Sequence, residues 1–299
     1  MTAENAPVEP TAVLEKVLSL GGRIIAPATL ISTLLFYFGY VSSRSQYDYF
    51  GLDVDVIGLS TQDYVMRSPQ PLLVPLLVLT LLGAAGSAGH AVLRRRAGRV
   101  PSFRYVARRM VIIGLFLLAA ALLLLFGYTV LGSWPMYALV TPLVLAAGGS
   151  LTAYGLGTLR WLDDRDPQRT TRPGPSGMII ALWVAVAASL FWGTATVAQW
   201  SGRGLAGEQA RRLDELPSVI VDSKQRLFLP VGAGVRERDL TGTATDQPYR
   251  YRYSNLRLLI QGDGAMFLVP GTWSPAATTI MLPLNDDVHV QFQFRNDPP

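Results

Sequence analysis

The stretch RRRAGRVPSFRYVARR, residues 94–109, decides how this chain is organised. It holds seven arginines and no acidic residue, and an apolar run of membrane-spanning length lies on each side of it, 71–93 and 110–131. Short positive loops resist translocation across a bilayer, so we expect 94–109 to be a cytoplasmic loop. Because successive spans cross the membrane in opposite directions, this assigns a side of the membrane to every other loop. The seven side chains are Arg94, Arg95, Arg96, Arg99, Arg104, Arg108 and Arg109.

The composition is that of a membrane protein. Half of the 299 residues are hydrophobic and 16% are charged, whereas roughly 25% of residues are charged in soluble proteins. The long uncharged runs between polar segments indicate several spans. The absence of cysteine excludes disulfides, thiol catalysis and cysteine–zinc sites. The net charge of +5 lies in the membrane part, since acids and bases balance beyond residue 200, and does not indicate nucleic-acid binding.

The apolar runs and the charges between them predict five transmembrane helices. We expect the N-terminus inside and the C-terminus outside, because the outer loops carry only Arg44 and Arg67 as basic residues. The outer loop 42–70 is rich in apolar side chains and is expected to pack on the membrane face or on another domain. Its residues Ser60 to Asp63 fit a capping box and predict a short helix. The predicted spans are 24–41, 71–93, 110–131, 135–159 and 178–200.

The sequence pattern changes after the fifth span. Residues 288–294 read VHVQFQF, an alternation typical of a strand with one packed face, and hairpins are expected around 222–225 and 262–264. The predicted fold class is a membrane α-helical bundle followed by a small extracytoplasmic β-rich domain. Its predicted parts are a cytoplasmic segment 1–23, a five-span domain 24–200 with loops 42–70 and 94–109, a linker 201–216 and a β-domain 217–299.

The residues that usually carry chemistry form no recognisable site. Asp53, Asp55 and Asp63 could together hold a divalent cation, but they lack the spacing of a ligand motif, and the alternative is a solvated loop. The only histidines, His90 and His289, have no partner at the spacing of metal ligands or of a catalytic triad. We therefore predict no enzymatic activity, no cofactor and no metal.

The run GRGLAG, residues 202–207, matches the G-x-G-x-x-G pattern of dinucleotide-binding proteins, and Asp222 follows at about the spacing of that fingerprint. The fingerprint requires a strand before the glycines, whereas here a membrane span precedes them. We interpret the run as a flexible hinge beside the membrane.

Two patterns of arginine suggest binding surfaces. The tail contains YRYRY, in which a strand would put the tyrosines on one face and the arginines on the other. That surface could contact a glycan, a lipid headgroup or a protein, or else form a tyrosine ladder shielded by arginine stems. The seven arginines of 94–109 could contact anionic lipid, although topology alone explains them. The tail residues are Tyr249, Arg250, Tyr251, Arg252 and Tyr253.

Two stretches carry a family resemblance. YFGLDVDVIGLSTQDYVMRSP (49–69), with FGYVSSR before it, resembles an outer-loop pattern of uncharacterised actinobacterial multipass membrane proteins. The tail run YRYRYSNLRLLIQGDGAMFLVP (249–270) is similar to the same group. The resemblance implies an architecture only and carries over no functional residue.

These observations favour a non-enzymatic anchor, scaffold or sensor in a bacterial plasma membrane, presenting its β-domain to another membrane or envelope protein or to a ligand. The alternative is a homo-oligomeric channel or uncoupled transporter. Gly83, Gly86 and Gly89 in the second span, and the small residues 146–150 in the fourth, would allow the helix contacts that it needs. The span interiors contain no Asp, Glu, Lys or Arg, which counts against an ion-coupled transporter.

Overall fold

The computed structural model describes residues 10–97, 103–164, 176–229, 234–241, 248–274 and 277–293. Five of its helices are long and apolar enough to cross a membrane, in agreement with the number of spans predicted. An antiparallel sheet follows them, as expected. The helices are α1 (Pro10–Asp48), α2 (Val54–Ile57), α3 (Thr61–Arg67), α4 (Pro69–Ala97), α5 (Phe103–Phe126), α6 (Tyr128–Leu131), α7 (Tyr137–Asp163) and α8 (Ser176–Arg211), and a 3-10 helix covers Leu213–Glu215.

Two of these helices are longer than the spans predicted from the sequence. α1 begins at Pro10 and runs through Gly21 and Gly22. α8 continues past Trp200 to Arg211, so the glycine run 202–207 is helical and the hinge interpretation is wrong. A helical glycine costs about 1 kcal/mol. Gly202 and Ala206 within this run are buried by tertiary packing, which offsets the cost of its glycines, so the helix continues.

The chain divides into two compact units. We call Met1–Gln70 together with Ser201–Pro299 the sheet unit, and Pro71–Trp200 the helical unit. α8 therefore belongs to the helical unit up to Trp200 and to the sheet unit from Ser201 onward.

Close backbone approach holds α5 and α7 together in the helical unit. A Cβ at Gly148 would lie 2.9 Å from the backbone nitrogen of Leu118, so only glycine fits at this crossing. Small residues permit such contact between membrane helices, and the strip predicted at 146–150 is confirmed as a packing surface. At Gly83, Gly86 and Gly89 of α4, in contrast, no described atom outside the local helix backbone lies within 4 Å of the Cβ position.

The sheet has the strand order β5-β4-β3-β1-β6, and β2 pairs with β3 as well. The long strand β3 lies at its centre and pairs with β1, β2 and β4, and every strand pair is antiparallel. The strands are β1 (Ser218–Ser223), β2 (Arg236–Asp239), β3 (Tyr251–Gly262), β4 (Ala265–Pro270), β5 (Ile280–Pro283) and β6 (Val288–Gln293).

One of the two expected hairpins forms. β3 and β4 are joined by Asp263 and Gly264, and Gly264 has φ +69°, a conformation that glycine adopts without strain. The hairpin expected around 222–225 is wrong, because residues 226–229 are not a strand. Phe228 has φ +48° and the Leu227 amide donates to the Tyr253 hydroxyl at 2.8 Å, so the chain leaves the ladder there.

Candidate functional site

The loop predicted at 42–70 is folded against the sheet. Phe50, Val54 and Ile57 are each no more than 1% exposed and belong to one core with β3 and β4. Full burial of one such side chain contributes roughly 1.5–3 kcal/mol. We call this cluster the joint core. Its buried members are Tyr47, Phe50, Val54, Ile57, Tyr64, Ala206, Leu213, Leu259, Ile260, Ala265, Phe267 and Val269.

Backbone contacts fix the position of the loop on the sheet. The Asp263 amide donates to the Ile57 carbonyl at 3.1 Å, and the Thr279 hydroxyl donates to the Phe50 carbonyl at 2.6 Å. A Cβ at Gly262 would overlap the Ile57 carbonyl oxygen, so β3 and α2 approach at a distance that only glycine allows. The loop is therefore held by side-chain packing and by directional bonds together.

Two further glycines bring helices into the same unit. A Cβ at Gly39 of α1 would overlap the carbonyl oxygen of Tyr64 in α3, and a Cβ at Gly202 of α8 would overlap that of Ser42 in α1. Gly202 is the first glycine of the nucleotide-like run, and here it serves helix packing. α1, α3 and the end of α8 thus form one body with the joint core.

The YRYRY stretch is only partly a surface, and only Tyr251 to Tyr253 belong to β3. Tyr253 is fully buried, and its hydroxyl accepts the Leu227 amide, so it is removed from any exposed binding surface. Burial raises the pKa of the Tyr253 phenol. Tyr251 is half-buried, Arg250 is exposed, and Tyr249 stacks on His289 with ring centroids 5.6 Å apart. The outer end of this stretch, Tyr249 to Tyr251, is what remains for a partner or ligand.

Arg252 is committed to an ion pair inside the sheet. Its Nε and Nη2 donate to the two carboxylate oxygens of Asp222 at 2.7 and 2.8 Å. The Asp222 side chain is 3% exposed and that of Arg252 is 35% exposed. The hydrogen bond to Asp222 raises the pKa of the Arg252 guanidinium. Because the two residues are opposite one another on β1 and β3, the pair ties those strands together.

The arginines of 94–109 differ from one another in their surroundings. Arg104 forms an ion pair with Asp163 near the end of α7, and the guanidinium of Arg109 lies 4.3 Å from the Tyr105 ring centroid. Contact with anionic lipid stays a prediction for the exposed members. Those exposed are Arg95, Arg108 and Arg109. The side chains of three others lie outside the described part of the structure: Arg94, Arg96 and Arg99.

The acids of the loop 42–70 serve local structure. Asp53 is the N-cap of α2 and accepts the Asp55 amide at 3.1 Å. Asp63 and Ser60 form the capping box of α3, which confirms the short helix predicted there. The hydrogen bonds from the Ser60 hydroxyl and amide lower the pKa of the Asp63 carboxyl. Across the described ranges, no group of three acids, histidines or cysteines could hold a metal ion.

His90 lines an aromatic cavity of about 250 Å³ in the helical unit, together with Trp161 and Trp183. Its Nδ1 lies 2.8 Å from the Tyr154 hydroxyl, and the two rings meet edge to face at 5.7 Å. This contact joins α4 to α7. His90 thus has a packing role that the sequence pattern did not indicate.

A second cavity, of about 420 Å³, lies in the sheet unit and was not predicted from the sequence. We call it the polar cavity. It is lined by residues of α1, α3, α4 and α8, and one of them is a cation. The only sequence signal for it was that the loop 42–70 contains only two basic residues, Arg44 and Arg67. Its polar lining consists of Ser42, Ser43, Gln46, Arg67, Gln70 and Gln209.

Comparison with known proteins gives no match, whether with family models, curated proteins or solved structures. The resemblance to actinobacterial membrane proteins therefore stays a prediction. Any functional conclusion has to be drawn from the geometry of the joint core, the strand ends and the cavities.

We predict that Asp222→Asn destabilises the protein by about 2–3 kcal/mol, because it leaves Arg252 without the charge that compensates its partial burial. The matched control is Asp287→Asn, which removes the same charge from the exposed pair with Lys224 and should cost much less, because solvent screens that pair. Thermal unfolding of both variants in the same detergent measures the difference. Equal losses of stability would show that the buried pair of Asp222 and Arg252 stabilises the fold no more than the exposed pair does.

Proposed function

We propose that this protein is a non-enzymatic plasma-membrane anchor that presents an extracytoplasmic platform to a protein partner or ligand. The platform is the β-sheet with the loop 42–70. The observation that supports this proposal is the joint core, in which Phe50 and Ile57 are buried with Phe267 of β4. A flexible linker would be enough to tether a domain to the membrane. This sheet is instead packed onto the end of a membrane-length helix. A rigid mounting suits a scaffold, or a sensor whose ligand must act on the helices.

The proposed orientation follows from charge. The loop between α4 and α5 holds seven arginines within 94–109, and such loops stay on the cytoplasmic side. Five spans then put the sheet outside the cell. The loop 42–70 comes to the same side, as its packing against the sheet requires.

A second candidate is a homo-oligomer that forms a channel. The observation in its favour is the open face of α4 at Gly83, Gly86 and Gly89, since glycine faces allow membrane helices to approach closely. Self-association through α4 would leave the platform free, so the two candidates differ in what contacts the sheet.

The orientation can be tested by cysteine labelling, because the natural chain contains no cysteine. We predict that Asp286→Cys, in the exposed turn before β6, reacts with a membrane-impermeant maleimide in intact cells. Ser102→Cys, in the loop 94–109, should react only after the cells are opened. The reverse pattern would put the sheet in the cytoplasm and contradict the proposal.

The platform can be tested by photocrosslinking in cells. We predict that a photoreactive phenylalanine at Phe292, whose side chain is 56% exposed on β6, forms an adduct with a second envelope component. The same probe at Ser102 is the control and should not give this adduct. An adduct with a second copy of the chain alone would show that the sheet itself contacts another copy, and it would contradict a platform for a second envelope component. No adduct from Phe292 or from the 78% exposed Phe228 would contradict a partner-binding platform.

A further inference from the structure

The polar cavity of the sheet unit has the size and lining of a ligand site. Its volume of about 420 Å³ falls within the range of roughly 300–1,000 Å³ that small-molecule sites occupy. Ser42, Ser43 and Gln46 of α1 contribute to its wall and are each no more than 9% exposed. Gln46 Nε2 donates to Gln209 Oε1 of α8 at 2.7 Å, so part of the polar lining is held in place before any ligand arrives.

Arg67 supplies a positive charge that no contacting carboxylate balances. Its Nη1 donates to the Tyr47 hydroxyl at 2.7 Å, and its guanidinium carbon lies 5.7 Å from the Tyr47 ring centroid. Throughout the described residues, no acidic side chain forms an ion pair with it. Asp63, one turn earlier in α3, is hydrogen-bonded to Ser60 instead. A half-buried cation without a counter-ion favours an anionic ligand.

The cavity lies at the ends of membrane-length segments. The segment Ile25–Asp48 ends near Gln46, and Pro69–Leu93 begins beside Gln70. Gln209 follows on the continuous helix α8, nine residues beyond the predicted end of the fifth span. Successive spans alternate in direction, so the end of the first, the start of the second and the end of the fifth share one side of the bilayer. Ends of apolar segments mark the depth of the lipid headgroups.

We propose that the polar cavity binds the phosphate of a glycerophospholipid headgroup that carries free hydroxyls. The planar guanidinium of Arg67 matches two phosphate oxygens, while glutamine amides and serine hydroxyls match the alcohol groups. Free glycerol phosphate has the same chemistry and is the alternative source of the ligand. This site is independent of the platform and of any partner that binds it.

The test uses the full chain in nanodiscs of phosphatidylcholine with a minor fraction of phosphatidylglycerol, followed by native mass spectrometry. We expect phosphatidylglycerol to be retained selectively by the natural chain. Arg67→Gln should reduce retention roughly tenfold or more, since a hydrogen bond to a charged group is worth that much. Gln70→Trp should also reduce it by filling the cavity, and it leaves the contact between Arg67 and Tyr47 intact. Thermal unfolding of each variant reports whether it folds.

The matched control is Arg203→Gln, which removes the same charge from an exposed position on α8 and should leave retention unchanged. Retention lost in Arg67→Gln and Gln70→Trp but kept in Arg203→Gln supports the site. Displacement of the lipid by added glycerol phosphate would assign the site to a soluble phosphate and overturn the lipid source. Equal retention by Arg67→Gln and the natural chain, or an equal loss in Arg203→Gln, would overturn the proposal altogether.

Discussion

The burial of Phe50, Val54 and Ile57 against β3 and β4 is the interaction on which the rest of the sheet unit depends. These side chains come from a segment between two membrane-length helices, whereas the strands come from the far end of the chain. Their packing closes a long loop of chain, and the entropy lost in that closure has to be offset by apolar burial. The hydrogen bond from the Asp263 amide to the Ile57 carbonyl fixes the position of the loop on the sheet, which apolar burial alone does not do.

The joint core couples the sheet mechanically to the helices that pack with it. A sheet joined to a helix by a flexible linker moves independently of the membrane. Binding of a partner to such a sheet would not change the conformation of the helices. Here Gly39 and Gly202 bring α1, α3 and α8 into backbone contact, so the sheet forms one body with α1, α3 and the end of α8. The polar cavity lies in the same body, so the proposed lipid site and the proposed partner-binding surface belong to one unit.

The sequence predicted the helices and the β3–β4 hairpin because those features depend on local composition, as the turn at Gly264 illustrates. The sequence also indicated that the loop 42–70 is too apolar to be a flexible linker without packing contacts. It could not show what the loop packs against, since the contact of Ile57 with Gly262 depends on tertiary structure. The apolar pattern at 226–229 predicted a strand that does not form. There the Leu227 amide donates to the Tyr253 hydroxyl instead of to a neighbouring strand. The polar cavity was hidden because its residues come from four helices.

Hydrogen exchange in two neighbouring variants tests the joint core most directly. Ile57 is fully buried and Val56 beside it is 57% exposed, so Ile57→Ala and Val56→Ala change adjacent residues of α2 in opposite environments. We predict that Ile57→Ala speeds amide exchange in the loop 42–70 and in β3 and β4 together, while Val56→Ala changes neither. Faster exchange in the loop alone, with β3 and β4 as protected as in the natural chain, would contradict the account.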